Sequence, residues 1–182
     1  MNKLKLLIPA LAIFLFSLNA NATYINAWTV AGPSSPTANM FQYNTWDLSY
    51  DSKSNLGSPV TFTASAVAQT AGDYTFAWNY TGFHAFFRVT AFLNTSLGDI
   101  LVNAGPNNCC TTPSNGFGYS GLYTFSNVGA GDTISFTFGG DNQDSNTTIR
   151  GNLRLTHVTA PSVVAIILLA MGGMFVRKVY KK

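Results

Sequence analysis

Seven consecutive residues, Tyr74-Thr75-Phe76-Ala77-Trp78-Asn79-Tyr80, carry an aromatic ring at every second position. Successive side chains point to opposite faces in an extended strand, so this run has one aromatic face and one small or polar face. The pattern recurs. Val60, Phe62, Ala64 and Ala66 alternate with Thr61, Thr63 and Ser65; Ile134, Phe136 and Phe138 with Thr133, Ser135 and Thr137; Leu153 and Leu155 with Asn152, Arg154 and Thr156. Each run reads as a half-buried strand. The segment from Phe86 to Leu93 is apolar on both parities except at Arg88, Thr90 and Ala91, and reads as a central strand. Ile100 to Val102 and Leu122 to Phe125 add two shorter ones.

Between these runs fall turn signals: Gly57-Ser58-Pro59, Ala71-Gly72-Asp73, Thr81-Gly82, Leu97-Gly98-Asp99, Gly129-Ala130-Gly131-Asp132 and Gly139-Gly140-Asp141-Asn142. About seven or eight short strands separated in this way predict an all-β fold, an antiparallel β-sandwich, of which the jelly roll is one form. The absence of Glu from the whole chain agrees, because exposed helix faces draw heavily on that residue. The stretch from Gly105 to Gly121 is rich in Gly and Pro and is predicted to be an exposed loop.

The charge of the body differs in sign from that of the chain. The formal net charge is +3, but six of the ten basic residues (Lys3, Lys5, Arg177, Lys178, Lys181 and Lys182) lie at the two ends. Between Thr23 and Ala160 only Lys53, Arg88, Arg150 and Arg154 face seven Asp, so the body is acidic by three. An acidic body argues against a phosphate-binding surface and so against nucleic acid as a partner.

Both ends read as addresses. Lys3 and Lys5 precede an apolar run from Leu6 to Leu18, followed by Ala20-Asn21-Ala22, with small residues at the two positions a signal peptidase reads. This is the layout of a secretory signal, with cleavage expected after Ala22 and the Sec machinery and signal peptidase as partners. At the other end Val163 to Val176 is wholly apolar or Gly and is followed at once by Arg177 and Lys178. Cations stay on the cytoplasmic side, so this tail is expected to form a hydrophobic helix that halts export with the body outside. Its fourteen residues fall short of the roughly 20 of a comfortable span. The expected organisation is a signal peptide over 1–22, a β-sandwich over 23–157 and a sorting or transmembrane segment over 158–182.

The tail, Thr159-Ala160-Pro161-Ser162, then the apolar run with Gly172-Gly173, then the basic cluster of Arg177 and Lys178, resembles the C-terminal sorting signal of PEP-CTERM proteins. That resemblance implies processing by a membrane enzyme of the exosortase type. It also implies an inner-membrane-anchored precursor, and final residence at the surface or in the exopolysaccharide matrix of a Gram-negative bacterium. The chain departs from the family pattern in lacking the first Pro and the Glu of the motif, and its end is rich in Lys where the family's is rich in Arg.

Residues with chemistry are sparse. The histidines are His84 and His157, one beside an aromatic strand and one abutting the tail, and no nucleophile-elbow motif is present; catalysis is therefore not expected. Cys109 and Cys110 are adjacent. In an oxidising compartment they form a vicinal bridge, bridge between molecules, or stay reduced, and the first is strained because neighbouring Cα atoms are only about 3.8 Å apart. Asp141, Asn142, Asp144 and Asn146 supply oxygen ligands of the kind Ca²⁺ prefers, although without the Gly and Glu of an EF-hand loop; the alternative is a polar hairpin tip. No other cofactor is indicated. Trp28, Trp46 and Tyr119 are the candidates for stacking on sugar rings. Two functions follow: a non-enzymatic surface or matrix protein, or a carbohydrate- or calcium-binding module on a single-pass anchor.

Overall fold

Each alternating run becomes a strand whose apolar parity faces inward. The computed structural model describes residue 23 and residues 25–53, 58–83, 89–104, 116–142 and 148–159, with Val89 and Asn142 in backbone only. Among these residues the chain forms β1 (Thr29–Ala31), β2 (Thr37–Gln42), β3 (Thr45–Lys53), β4 (Val60–Val67), β5 (Gly72–Phe83), β6 (Val89–Thr95), β7 (Ile100–Ala104), β8 (Gly116–Val128), β9 (Thr133–Asn142) and β10 (Thr148–Val158). Sheet I has the order β1-β4-β9-β6-β7 and sheet II the order β2-β3-β10-β5-β8.

The strand order identifies the jelly roll. β6 and β7 pair across a tight turn, and working outward from it β5 pairs with β8, β4 with β9 and β3 with β10, all antiparallel. The chain is thus one long hairpin ribbon folded over itself, its successive pairs falling alternately in sheet I and sheet II. β1 and β2 extend the two sheets beyond β4 and β3. At the tip, Gly98 donates to the Thr95 carbonyl at 3.0 Å, Asp99 donates its backbone N–H to Thr95 Oγ1 at 3.2 Å, and Tyr123 of β8 donates to Asp99 Oδ2.

Rings fill the space between the sheets. Tyr74, Phe76 and Tyr80 of β5 meet Phe62 of β4, Phe136 and Phe138 of β9 and Phe125 of β8, all essentially without solvent exposure. Fully burying such a side chain is worth about 1.5–3 kcal/mol. Tyr50 stacks on Phe62 at 4.3 Å, while Phe76 meets Phe136 and Phe125 edge to face. The Tyr74 hydroxyl donates to the Thr70 carbonyl at 2.6 Å, and those of Tyr50 and Tyr80 are satisfied in series. Tyr80 donates to the Gly139 carbonyl at 3.0 Å, so Tyr50 donates to Tyr80 at 2.6 Å. The chain links β3 and β5 of sheet II to β9 of sheet I. Burial pushes both phenols up, Tyr50 well above its ordinary value.

Four glycine-containing segments that read as turns or loop lie wholly or partly within strands, Gly72-Asp73 opening β5. Thr81-Gly82 is inside β5, Gly139-Gly140-Asp141-Asn142 ends β9, and Gly116 to Gly121 opens β8. Glycine in a strand marks close approach, which sequence reading confuses with a turn signal. At Gly139 φ is +146° and a Cβ would lie 2.0 Å from the Val60 carbonyl; at Gly151 a Cβ would lie 2.3 Å from the Tyr50 hydroxyl. β1, β2 and β3 were not expected: β1 is only three residues long, and the outward positions of β2 and β3 include Asn39, Asp47, Ser49 and Asp51, which read as turn formers.

His157 closes the base of the core. It is 3% exposed, stacked on Tyr74 at a ring distance of 5.5 Å and tilted against Phe76 at 5.3 Å. Its Nε2 lies 3.1 Å from Thr23 Oγ1, and its backbone N–H donates to the Asn44 carbonyl at 2.8 Å.

Two measurements check this account. Tyr80→Phe removes the bonds that Tyr80 makes to the Gly139 carbonyl and to Tyr50 and is expected to cost about 2 kcal/mol in urea unfolding; an unchanged unfolding midpoint would refute the series. Burial lowers the pKa of His157 below the ordinary histidine value. The unfolded chain therefore takes up the proton more readily, and the stability this residue contributes is present above about pH 6.5 and lost as pH falls below it. Between about pH 7 and about pH 5 the unfolding midpoint should fall less steeply in His157→Gln than in the parent, and identical slopes would exclude the effect.

Candidate functional site

The outer face of sheet II is where side chains with binding chemistry converge. Its outward positions fall into cross-strand rows: Asn39, Asp47, Arg154, Asn79 and Ser120; Thr37, Ser49, Asn152, Thr81 and Gly118; and Asp51, Arg150, Phe83 and Gly116. The inward parity of the same strands is the aromatic core, so the sequence that packs the interior also spaces this surface.

A hydrogen-bonded relay organises the centre of the face. Ser49 donates to Asn152 Oδ1 at 3.3 Å, and Asn152 Nδ2 donates to Asp47 Oδ1 at 3.1 Å. Arg154 donates to both oxygens of Asp47, Nε to Oδ1 at 2.8 Å and Nη2 to Oδ2 at 2.9 Å. The hydrogen bond from Arg154 holds the Asp47 carboxyl below the usual carboxylate range and raises the guanidinium in turn. Arg154 also lies over the Phe41 ring, 4.4 Å from its centroid. With Asn152 fixed in this way, one amide N–H and spare carbonyl capacity remain for a ligand.

Beside the relay the face sinks into a depression of about 310 Å³ lined by Tyr50, Thr81, Gly82, Phe83, Arg150, Gly151 and Asn152. Gly82, Gly151 and Tyr50 form one cross-strand row on the inward parity, so backbone alone floors the depression. Opposite Thr81 and Phe83, β8 carries Gly118 and Gly116, which keep that side of the depression low. Half-buried Phe83 supplies a ring, Thr81 a hydroxyl, Asn152 an amide and Arg150 a cation 63% exposed. Arg150 is only loosely engaged, its Nε 3.4 Å from Asp51 Oδ2.

The residues expected from the sequence to bind sugars are placed differently. Trp28 and Trp46 are 4% and 3% exposed and belong to the core. Trp28 packs on Phe76 and Phe136 at 5.5 and 5.7 Å, and Trp46 sits on the inward parity of β3. Neither presents a ring to solvent, because the largest apolar side chains gain most from the interior. Tyr119 is half-buried on the inner side of edge strand β8, stacked on Phe117 at 6.2 Å.

Asp141 is 3% exposed in β9, its backbone N–H donating to Thr90 Oγ1 at 3.0 Å, and Asn142 ends the same strand. Among the described residues no group of three or more His, Cys or Asp side chains is gathered for a metal. Asp144, Asn146, Cys109, Cys110 and His84 lie outside the described residues, as do Ala20, Ala22, Ala160, Pro161, Arg177 and Lys178. Thr159 is exposed immediately after β10.

The sequence signal for the face was present in the polar parity of β10, Asn152 and Arg154. What it lacked was the register that sets Thr81 and Phe83 beside them.

No family model matches the chain, and no curated protein matches it. Among solved structures it is similar to TmCBM61 in complex with β-1,4-galactotriose, at 15% identity and a TM-score of 0.41, over 73% of this chain and 88% of that one. A family 35 carbohydrate-binding module from an environmental isolate is similar at 12% identity and a TM-score of 0.36, over 73% of this chain and 99% of that one. The C-terminal CBM6 of LamC from Zobellia galactanivorans is similar at 12% identity and a TM-score of 0.28, over 71% and 98%. The jelly-roll assignment rests on the strand order and register of this chain alone.

Proposed function

We propose that this chain is a non-catalytic glycan-binding protein of the cell surface, and that it binds through the outer face of sheet II. The observation that carries the reading is the depression formed by Thr81, Phe83, Arg150 and Asn152. A sugar ring offers an apolar face and a rim of hydroxyls. A ring that stacks, beside an amide and a hydroxyl held in place, complements both.

Binding without cleavage follows from the carboxylates on this face. Glycoside hydrolysis uses a pair of carboxyl groups roughly 5–9.5 Å apart, one of them able to hold a proton. Asp47 and Asp51 are four residues apart on β3, about 14 Å along the strand. Asp47 is moreover held ionised by Arg154, the opposite of what a general acid needs.

The address is carried by the ends. The signal over 1–22 sends the chain through the Sec pathway. The tail from Thr159 onward acts as an exosortase-type sorting signal, anchoring the precursor in the inner membrane before transfer to the surface or the exopolysaccharide matrix.

Two experiments test these statements. In affinity electrophoresis of the full chain against a panel of neutral and acidic polysaccharides, at a temperature where circular dichroism shows both variants folded, Phe83→Ala and Asn152→Ala should each weaken retention about tenfold, some 1.4 kcal/mol. Failure of the parent to be retained by any glycan, or retention of both variants at parent strength, would refute binding at this face. Mass spectrometry of the surface form should find Thr23 at the N-terminus and a C-terminus upstream of Arg177; a surface form ending in Lys182 would contradict processing of the tail.

A further inference from the structure

The charges of the domain are sorted by face. Among the described residues the cations are Lys53, Arg150 and Arg154, and all three stand on the outward parity of β3 and β10 in sheet II. Only Asp47 and Asp51 accompany them in these rows. The other described carboxylates lie elsewhere. Asp73 accepts from the Asn127 backbone N–H at the far end of β5, Asp132 accepts from that of Gly129 in the β8–β9 turn, Asp99 is in the β6–β7 turn, and Asp141 is buried in β9. Among the described residues, then, the cations of a body that is acidic as a whole gather around the depression.

From this sorting we infer that the ligand of the face is an anionic glycan, one whose sugar rings carry carboxylate or sulfate groups, and that Arg150 is the residue that reads the anion. The inference rests on the glycan-binding reading of the same depression.

The two arginines are prepared for different tasks. Arg154 is committed: both oxygens of Asp47 engage it and the Phe41 ring lies beneath it. It is a fixed, partly neutralised platform. Arg150 stands at the rim of the depression, 63% exposed, against an Asp51 that is 72% exposed and 3.4 Å away. A pair that long and that open is worth little, so exchanging Asp51 for a ligand anion costs little. A guanidinium is also suited to it, since its planar fork engages carboxylate and sulfate oxygens through two parallel hydrogen bonds. Lys53 is diagonal to Arg150, opposite Thr148 in register, and adds positive potential at the same end. A sugar stacked on Phe83, its neighbour in register, brings a ring substituent to Arg150.

The test uses the full chain in detergent micelles, titrated with alginate as a polyuronate, dextran sulfate, neutral dextran and galactan, and duplex DNA. The expected result is binding of alginate or dextran sulfate that weakens steeply with added salt. Arg150→Gln should lose it by tenfold or more, and Arg150→Lys should recover part. The stronger of the two anionic glycans identifies the group read, carboxylate or sulfate. Binding confined to the neutral glycans, indifferent to salt and to Arg150→Gln, would overturn the anionic class while leaving the glycan-binding face intact. Binding of DNA as tight as that of either anionic glycan would reduce the area to a general polyanion surface and overturn the inference. Binding of no glycan would overturn both readings.

Discussion

The layer of rings between the two sheets is the constraint on which the rest of the domain depends. Jelly-roll sheets are twisted, and two such surfaces leave an uneven gap that small aliphatic side chains fill poorly. Here the gap is closed by Phe62, Tyr74, Phe76, Tyr80, Phe125, Phe136 and Phe138, with Trp28 and Trp46 filling positions beside them. Rings that size bring polar tips with them. Where a phenol points inward it is answered in place, as in the series from Tyr50 through Tyr80 to the Gly139 carbonyl. The glycines at 139 and 151 belong to the same solution, since each gives room to a group that a Cβ would strike.

That interior explains the exterior. Period-two alternation means that fixing Tyr74, Phe76, Trp78 and Tyr80 inward leaves Thr75, Ala77, Asn79 and Thr81 outward, and the same holds for Leu153 and Leu155 against Asn152 and Arg154. Small and hydrogen-bonding residues therefore make up much of the outer surface of sheet II. Within it the relay from Ser49 to Arg154 turns separate polar groups into a fixed array, for the geometry of each member is set by the next. A fixed array loses little conformational freedom when a ligand arrives.

Much of this was legible in the sequence, and the failures have a physical pattern. The strands with strict alternation, β4, β5, β9 and the second half of β10, are visible because burial on one face and hydration on the other leave a period in the residues themselves. β2 and β3 were hidden because Asn39, Asp47, Ser49 and Asp51 look like turn formers; only pairing with β10 shows them to be outward strand positions. Gly82 misled in the same way. The sugar-stacking residues were misassigned for a related reason: Trp28 and Trp46 attract attention as the largest rings, yet size is also what draws them into the core. Phe83 and Asn152 became a pair only through register, which no local reading contains.

The register of β3 against β10 has a consequence in time. Asp47 and Arg154, the paired centre of the outer face, are 107 residues apart, and Ser49 and Asn152 are separated by 103. β10 is the last strand of the domain and lies between β3 and β5 in sheet II. A chain being made or threaded from its N-terminus therefore has no such face while its last strand is still withheld: the earlier strands of sheet II stand with open edges where β10 belongs. The surface comes into being in one late step, when β10 inserts.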